Sequence, residues 1–292
     1  MAERQLVLPG PIVKKSNIAA RAVWAANSVH EPRLLALVIS QIKASDNDFQ
    51  TYWVSVADLL GDTEGGYDHK RITDVAKTLQ GRQLLLPVEE EGDMAVTSVF
   101  SFCKYHRKKR MIEARFDPSL KPHYLELKEQ FTQYSLFEFL LLPSTYSQRM
   151  FEILKSWADQ PEVVLPIEGL YQQLDVPESH RADFAAFRRR VLEKAQKDIH
   201  KHTALRFEWE AVKNGRSVAG IRFLFAQKRA GRIVAKKQAK VVQDNSDTKN
   251  KAMLDAVACF KASKGRCQPK DGSLKCQLCA QLLQIAKPAY QP

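Results

Sequence analysis

Residues 182–202 read ADFAAFRRRVLEKAQKDIHKH and have the pattern of an amphipathic helix. At about 100° per residue, one side of this helix is apolar and holds Phe184, Phe187, Val191, Ala195 and Ile199. A second, basic stripe lies about a third of a turn or more away and consists of Arg190, Lys194, Lys197 and Lys201. We therefore expect one face to pack on a core while the other presents cations to solvent.

The flanking residues predict that this helix belongs to a winged helix-turn-helix. Before it, apolar residues recur at helical spacing over 167–174, and Asp-Val-Pro at 175–177 ends that helix. After it, two segments with strand-like alternation, 205–210 and 221–225, flank an Asn-Gly hairpin turn at 213–216. Two helices joined by a tight turn and followed by a β-hairpin make up this motif. An unrelated α+β core is the alternative that the pattern leaves open.

A similar order of elements, built from different residues, precedes this unit. Apolar spacing predicts a helix at His69–Gln80, and β-prone segments predict strands at 83–88, 95–105 and 111–116. A further helix is expected over 117–131, opened by Asp-Pro. We therefore predict an α+β chain with two tandem winged-helix domains, followed by a flexible basic linker and a small cysteine-containing tail.

The predicted domain organisation has five segments. These are an N-terminal arm at 1–30, a first winged-helix domain at 31–135, a second at 144–228, a linker at 229–251 and a cysteine-rich tail at 252–292. The second domain is expected to provide sequence-specific DNA binding. The first is expected to provide dimerisation and contact with the DNA backbone.

The net positive charge is concentrated in one part of the chain. Residues 181–240 hold 17 Lys and Arg against 5 Asp and Glu, a surplus of 12, and the other 232 residues hold 28 of each. A concentrated positive field attracts a polyanion through counterion release. No amphipathic membrane face accompanies the charge, so nucleic acid is favoured over an anionic membrane.

On the basic helix, arginines are expected to contact bases and lysines to contact phosphates. Arginine can bond two acceptors of guanine together, so base reading is assigned first to Arg189 and Arg190, with Arg188 a weaker candidate beside the apolar stripe. Phosphate contact is assigned to the lysines of the basic stripe, at 194, 197 and 201, and to Lys213 and Arg216 at the wing tip. Arg181, ahead of the helix, could do either. A solvated basic face without a partner is the alternative.

The first unit carries a different distribution of charge. Its candidate recognition helix holds Lys70 and Arg71, together with His69 and Lys77. Its wing tip holds four carboxylates, Glu89, Glu90, Glu91 and Asp93, which would repel phosphate. The basic turn at 106–110 could bind the DNA backbone or simply be solvated.

Three blocks of sequence resemble the RepB-type plasmid replication initiators, the group that includes the F-plasmid initiator. They are RFDPSLKPHYL at 115–125 with QFTQYS at 130–135, YSQRMFE at 146–152, and FRRR at 187–190 followed by the rest of the helix. The resemblance covers roughly residues 15–226.

This resemblance implies a function. Members bind directly repeated origin sites, called iterons, as monomers, help to open the origin, and recruit the host initiator and helicase. A dimer, joined mainly through the N-terminal domain, represses the initiator's own gene. The family reads bases with arginines matched here by Arg188, Arg189 and Arg190, and approximately by Arg181. A transcriptional repressor without initiator activity and, less favoured, a rolling-circle nicking enzyme are the alternatives.

The remaining expectations concern cofactors and location. Four cysteines in the tail, Cys259, Cys267, Cys276 and Cys279, have spacing that could hold a structural zinc ion, although free cysteines are favoured. No cofactor is expected to be required, and no enzyme is expected, because P-loop and hydrolase motifs are absent from the sequence. Five cysteines and no visible secretory signal predict a cytoplasmic protein, and the apolar runs are too short to cross a membrane.

Overall fold

The structure, a computed structural model, describes residues 10–60, 69–87, 94–127, 130–225, 255–256 and 259. Its strands are β1 (Ile12–Ser16), β2 (Tyr52–Ser55), β3 (Gln83–Pro87), β4 (Met94–Ser98), β5 (Phe100–His106), β6 (Met111–Phe116), β7 (Phe131–Ser135), β8 (Glu162–Pro166), β9 (Phe207–Asn214) and β10 (Ser217–Phe225). Its helices are α1 (Asn17–Arg21), α2 (His30–Ile39), α3 (Val56–Leu60), α4 (His69–Gln80), α5 (Lys121–Tyr124), α6 (Leu136–Leu141), α7 (Thr145–Lys155), α8 (Ile167–Gln173), α9 (Glu178–Arg181), α10 (Phe184–Phe187) and α11 (Glu193–His202). A π-helical turn, Arg188–Leu192, joins α10 to α11.

The first winged helix combines α3 and α4 with two small antiparallel sheets. Strands β2, β6 and β5 form one sheet in that order, and β3 pairs with β4 in the other. The predicted single strand over 95–105 is wrong, because β4 and β5 belong to different sheets. Between them Val99 is fully buried, donates its N–H to Arg82 and accepts at its carbonyl from Asp117. These bonds satisfy the backbone where the chain crosses from one sheet to the other.

Residues 12–21 form a strand and a short helix that pack into this half of the molecule. Strand β1 pairs antiparallel with β7, and Val13 is fully buried. The hydroxyl of Ser16 caps α1 by accepting the N–H of Ala19 at 3.0 Å. The prediction of an extended arm is therefore wrong for this strand and helix, which are part of the core. The first nine residues lie outside the described ranges.

The helix predicted over 117–131 is much shorter in the structure. Asp117 caps a 3-10 turn by accepting a backbone N–H two residues on, and α5 ends at Tyr124. Phe131 lies in β7 instead, directly after Gln130, whose φ is 50°. The strand is stabilised by its pairing with β1, which is more than a hundred residues away in sequence, so local spacing could not reveal it.

The second winged helix consists of α7 to α11 and a three-stranded sheet in the order β8, β10, β9. Helix α7 begins at Thr145 rather than at Phe151, because the hydroxyl of Ser144 caps it. This helix packs on α11 and also on β7 and α1, so both halves of the molecule share it. The prediction of two tandem winged helices is confirmed.

A buried network of charges joins the N-terminal strand to α7. Lys15 lies 2.5 Å from Glu152 Oε1, and Arg149 lies 2.6 Å from Glu152 Oε2, with each of the three side chains at most 3% exposed. Tyr134 donates to the same carboxylate, and Arg149 also donates to the carbonyl of Ala22 at 2.7 Å. Burial by itself raises the pKa of Glu152, but the two cations and the hydrogen bonds outweigh it, so the pKa lies below its usual value.

Several sequence predictions concern the end of the chain. The linker at 229–251 lies outside the described residues, as do Cys267, Cys276 and Cys279, while Cys259 is described and half-buried. The zinc site therefore stays a prediction. Among the residues that the structure describes, no helix is long and apolar enough to cross a membrane.

Candidate nucleic-acid interface

The basic helix begins at Phe184 rather than at Ala182. Asp183 has an extended backbone, and its carboxylate accepts the N–H of Ala185 at 2.8 Å, which satisfies one of the free donors at the helix start. The preceding residues form a separate short helix, α9, that ends at Arg181. Arg181 is therefore not continuous with the helix that carries the other arginines.

A π-helical turn changes the direction of the three consecutive arginines. The N–H of Glu193 donates to the carbonyl of Arg188, five residues earlier, instead of four. Because this turn is wider, Val191 and Leu192 are both buried, and all three arginines at 188–190 are exposed. The helical wheel, which assumes a regular helix, places Arg188 beside the apolar stripe, and in the structure it is exposed like its two neighbours. Its rank as the weaker candidate for base contact stays a prediction.

The predicted apolar stripe packs as expected. Phe187, Val191, Ala195 and Ile199 are fully buried, and Phe184 is half-buried against the same core. The helix rests on α7. The rigid attachment of this face leaves the arginines and lysines on the solvent side.

The three arginines differ in their neighbours. Arg190 donates from Nη1 to His180 Nε2 at 2.9 Å, which links the start of the basic helix to α9. Arg188 lies 3.3 Å from Glu193 in an ion pair exposed to solvent, which water screens strongly. Arg189 has no ion-pair partner among the described residues. Local spacing offered no sign of the contact with His180, which lies ten residues from Arg190.

The lysines continue the basic surface along α11. Lys194 lies 3.4 Å from Asp198, whose carboxylate also accepts from the buried hydroxyl of Ser147 at 2.6 Å. Lys197 and Lys201 are exposed and have no ion-pair partner within the described part of the chain. Asp198 therefore links α11 to α7, while Lys197 and Lys201 face solvent without an ion-pair partner in the described part of the chain.

Arg181 is half-buried and partly committed to the protein. Its Nε donates to the carbonyl of Val176 at 2.5 Å, and its guanidinium carbon lies 6.0 Å from the centre of the Tyr171 ring. These contacts hold the chain where it turns between α8 and α9. Only the outer nitrogens of Arg181 can reach a ligand without breaking this bond.

The wing of this domain is a β-hairpin with a basic tip. Asn214 pairs with Ser217, so Gly215 and Arg216 are the two central residues of the turn. Gly215 has φ of 63°, which glycine adopts without strain. The turn is therefore displaced by one residue from the predicted Asn-Gly position. Lys213 and Arg216 are both exposed at this tip, as expected.

In the first winged helix, α4 places its two predicted contacts on different sides. Arg71 contacts the imidazole Nε2 of His30 on α2. Lys70 lines a cleft of about 470 Å³ between α4 and the end of β5. The cleft also contains Tyr105, whose hydroxyl lies 2.6 Å from Nδ1 of His69. The acidic wing tip at 88–93 lies outside the described residues.

His200 and Cys103, side chains of types that often serve in catalysis, are held by contacts within the fold. His200 Nε2 accepts the N–H of Phe207 at 3.2 Å, and desolvation, followed by the nearby Arg206, lowers the pKa of His200. Cys103 lies in the core as predicted, and burial raises the pKa of its thiol to about 12. No group of three or more potential metal ligands occurs among the residues that the structure describes.

Comparisons with known proteins agree with this geometry. Residues 12–155 match the family described as initiator replication protein, WH1, and residues 166–225 match the family described as initiator Rep protein, WH2. The fold is similar to that of the Pi initiator protein, solved in complex with iteron DNA, with a TM-score of 0.58 and 15% sequence identity over 75% of this chain and 98% of that one. The predicted family is confirmed: two winged helices in tandem, matched in order by both family domains, make this chain a member of the initiator replication proteins.

Proposed function

We propose that this protein initiates plasmid replication by binding directly repeated duplex sites at the origin. The observation that carries the proposal is the run Arg188–Arg190, exposed at the start of a recognition helix whose other face is buried. Membership of the initiator family supports it, as does the fold shared with the Pi initiator, whose structure contains iteron DNA.

The exposed cations have distinct roles in the proposed complex. Arg189 and Arg190 enter the major groove, where a guanidinium can bond guanine O6 and N7 together. Arg188 joins them because the π-helical turn directs it to solvent. Arg181 supplies at most a peripheral contact, since its Nε is engaged by Val176.

Phosphate contacts hold the helix and the wing in register on the duplex. Lys194, Lys197 and Lys201 follow one side of α11, and Lys213 and Arg216 occupy the wing tip. Such contacts contribute most of the salt-dependent affinity and little sequence preference. In the first domain, Lys70 and Arg71 are the proposed backbone contacts, and Nη2 of Arg71 is engaged by His30.

The proposal extends to assembly and location. The monomer binds the repeats, helps to open the origin and recruits the host initiator and helicase. A homodimer represses transcription of the initiator's own gene. These steps take place in the cytoplasm, where the plasmid is, without a catalytic step or a required cofactor, and zinc, if bound by the tail cysteines, has a structural role.

The proposal is tested with a plasmid that carries this gene and its flanking DNA. In a host that lacks other copies, we expect replication with the wild-type gene and none with the double variant Arg189→Ala/Arg190→Ala. The variant Lys43→Ala/Lys104→Ala, which also removes two exposed cations, is the control and should replicate. Binding and repression without replication by the wild type would identify a repressor instead. Cleavage of labelled origin DNA in Mg²⁺ or Mn²⁺ would identify a nicking enzyme.

A further inference from the structure

The guanidinium of Arg190 is bonded to an imidazole on a neighbouring element. Its Nη1 donates to Nε2 of His180 at 2.9 Å. A guanidinium has only donors, so Nε2 is the acceptor in this bond and the ring proton lies on Nδ1. Nδ1 is buried and has no hydrogen-bond partner among the described residues. Within that part of the chain, the bond from Arg190 is therefore the one hydrogen bond that the ring makes.

Helix α9, which carries His180, is attached firmly beside the recognition helix. Arg181, the next residue, bonds the carbonyl of Val176, and Val176 is fully buried. The Tyr171 ring lies beside the Arg181 guanidinium and packs edge-on against Phe187 of α10, with ring centres 4.8 Å apart. These contacts connect α9 to the buried side of the recognition helix, so the acceptor is held next to Arg190.

The bond to His180 restrains Arg190 without offsetting its charge. Arg188, in contrast, lies 3.3 Å from the carboxylate of Glu193, which carries the opposite charge. Arg190 has no ion-pair partner and no second hydrogen bond within the described ranges. Its Nε and Nη2 are therefore available, and they donate in parallel from one edge of the guanidinium. Two parallel donors match the O6 and N7 acceptors of guanine.

We propose that His180 is a positioning residue for base reading, which holds Nη1 of Arg190 and leaves the edge formed by Nε and Nη2 to bond guanine. The inference rests on the proposed function and deepens it, because it requires Arg190 to contact a base. An arginine that is free in solution loses the freedom of several rotatable bonds when it docks, whereas one that is already held loses less. On random DNA the paired acceptors are missing, so the benefit is confined to the cognate site. His180 therefore contributes to discrimination rather than to general affinity.

The test uses the full chain with the variants His180→Phe and His180→Gln. Phenylalanine keeps a flat ring but has no acceptor, whereas glutamine brings a carbonyl oxygen to about the reach of Nε2 and is the matched control. Circular dichroism and thermal melting verify that both variants are folded. His180→Ala, which also lacks the acceptor, replaces His180→Phe if the latter melts below the wild type.

Footprinting of the wild type on DNA that flanks the gene defines the bound site, and Arg190→Ala then identifies the base pair at which discrimination is lost. Competition binding compares this site with a duplex in which that base pair is substituted. We expect His180→Phe to lose about 2- to 10-fold of the discrimination at that base pair, which corresponds to the cost of immobilising one long side chain. His180→Gln should retain it. The salt slope should stay unchanged in both variants, because no cation is removed.

A double-mutant cycle separates an effect through Arg190 from a direct effect of His180 on DNA. In the Arg190→Ala background, His180→Phe should cause no further loss of discrimination, because the contact that it removes is already absent. An equal loss in both backgrounds would show that His180 acts independently of Arg190 and would overturn the inference.

The remaining outcomes separate the inference from the proposed function. If His180→Phe keeps full discrimination, or His180→Gln loses as much as His180→Phe, the positioning role is wrong, while the loss caused by Arg190→Ala still identifies a base reader. If Arg189→Ala/Arg190→Ala retains the discrimination of the wild type between the bound site and random DNA, the proposed reading function fails, and the inference fails with it.

Discussion

Replacing Glu152 by glutamine should destabilise the protein more than any other single change in its buried charge network. The substitution leaves Lys15 and Arg149 close together, with side chains that are 2% and 3% exposed, and without the carboxylate between them. Removing one partner of a buried ion pair typically costs about 3–5 kcal/mol, because the remaining charge stays desolvated. A domain's total stability is about 5–15 kcal/mol, so the loss is a large fraction of it.

Lys15→Met is the matched comparison for Glu152→Gln. It leaves the carboxylate with Arg149 and the Tyr134 hydroxyl, so we expect a smaller loss of about 1–3 kcal/mol. Urea unfolding of the full chain, followed by circular dichroism, measures both values. A loss below about 1 kcal/mol for Glu152→Gln, or a larger loss for Lys15→Met, would refute the view that the carboxylate holds the network together.

The wild type and Glu152→Gln should also differ in how their stability depends on pH. The pKa of Glu152 is lowered in the folded protein, so its contribution to stability is complete above the unfolded pKa of about 4.3 and is lost as the pH falls through the folded value. The difference in stability between the wild type and Glu152→Gln should therefore shrink below about pH 4. A difference that stays constant down to pH 2 would contradict the lowered pKa.

Four further predictions concern DNA binding and local packing. Arg190→Ala should reduce discrimination between cognate and random duplex by about 1–3 kcal/mol in competition binding, and an equal loss on both would exclude it as a base reader. Lys197→Ala should flatten the salt slope by about one unit on any sequence, and an unchanged slope would place it off the interface. Asp183→Ala should lower the free energy of unfolding, measured in urea, by about 0.5–2 kcal/mol, because it removes the helix cap. No change would mean that the cap is dispensable. Gly220→Ala should lower the free energy of unfolding by about 1–3 kcal/mol, because the added Cβ would lie 2.9 Å from the Leu165 carbonyl oxygen. Gly169→Ala adds a Cβ with nothing within 4 Å, so it should be neutral or stabilising. Thermal melting compares the two variants, and the reverse order would contradict the packing.

Elements whose pattern depends only on near neighbours agree closely between sequence and structure. Helix α4 runs from His69 to Gln80 as predicted, because its buried residues repeat with the helical period. The buried stripe of the recognition helix and the basic wing tip also follow from local spacing. The concentration of cations near residue 190 and the resemblance carried by three sequence blocks are enough to identify the family.

Elements that depend on distant partners were missed. Phe131 was expected in a helix and lies in a strand, because β7 pairs with β1 from the other end of the domain. The predicted single strand over 95–105 divides at Val99, because its two parts join different sheets. Lys15 gave no sign of being buried, since its partner Glu152 is 137 residues away.

The sequence alone determined the period of α4 and of the recognition helix and the sign of the charge, and it supplied the candidate residues for DNA contact. Only the tertiary structure decided where those residues point. The π-helical turn that exposes Arg188, the bond from Arg190 to His180 and the cleft between α4 and the β5–β6 turn all require contacts between separate elements. Periodicity reflects the geometry of a single element, whereas direction and pairing are set by how elements pack against each other.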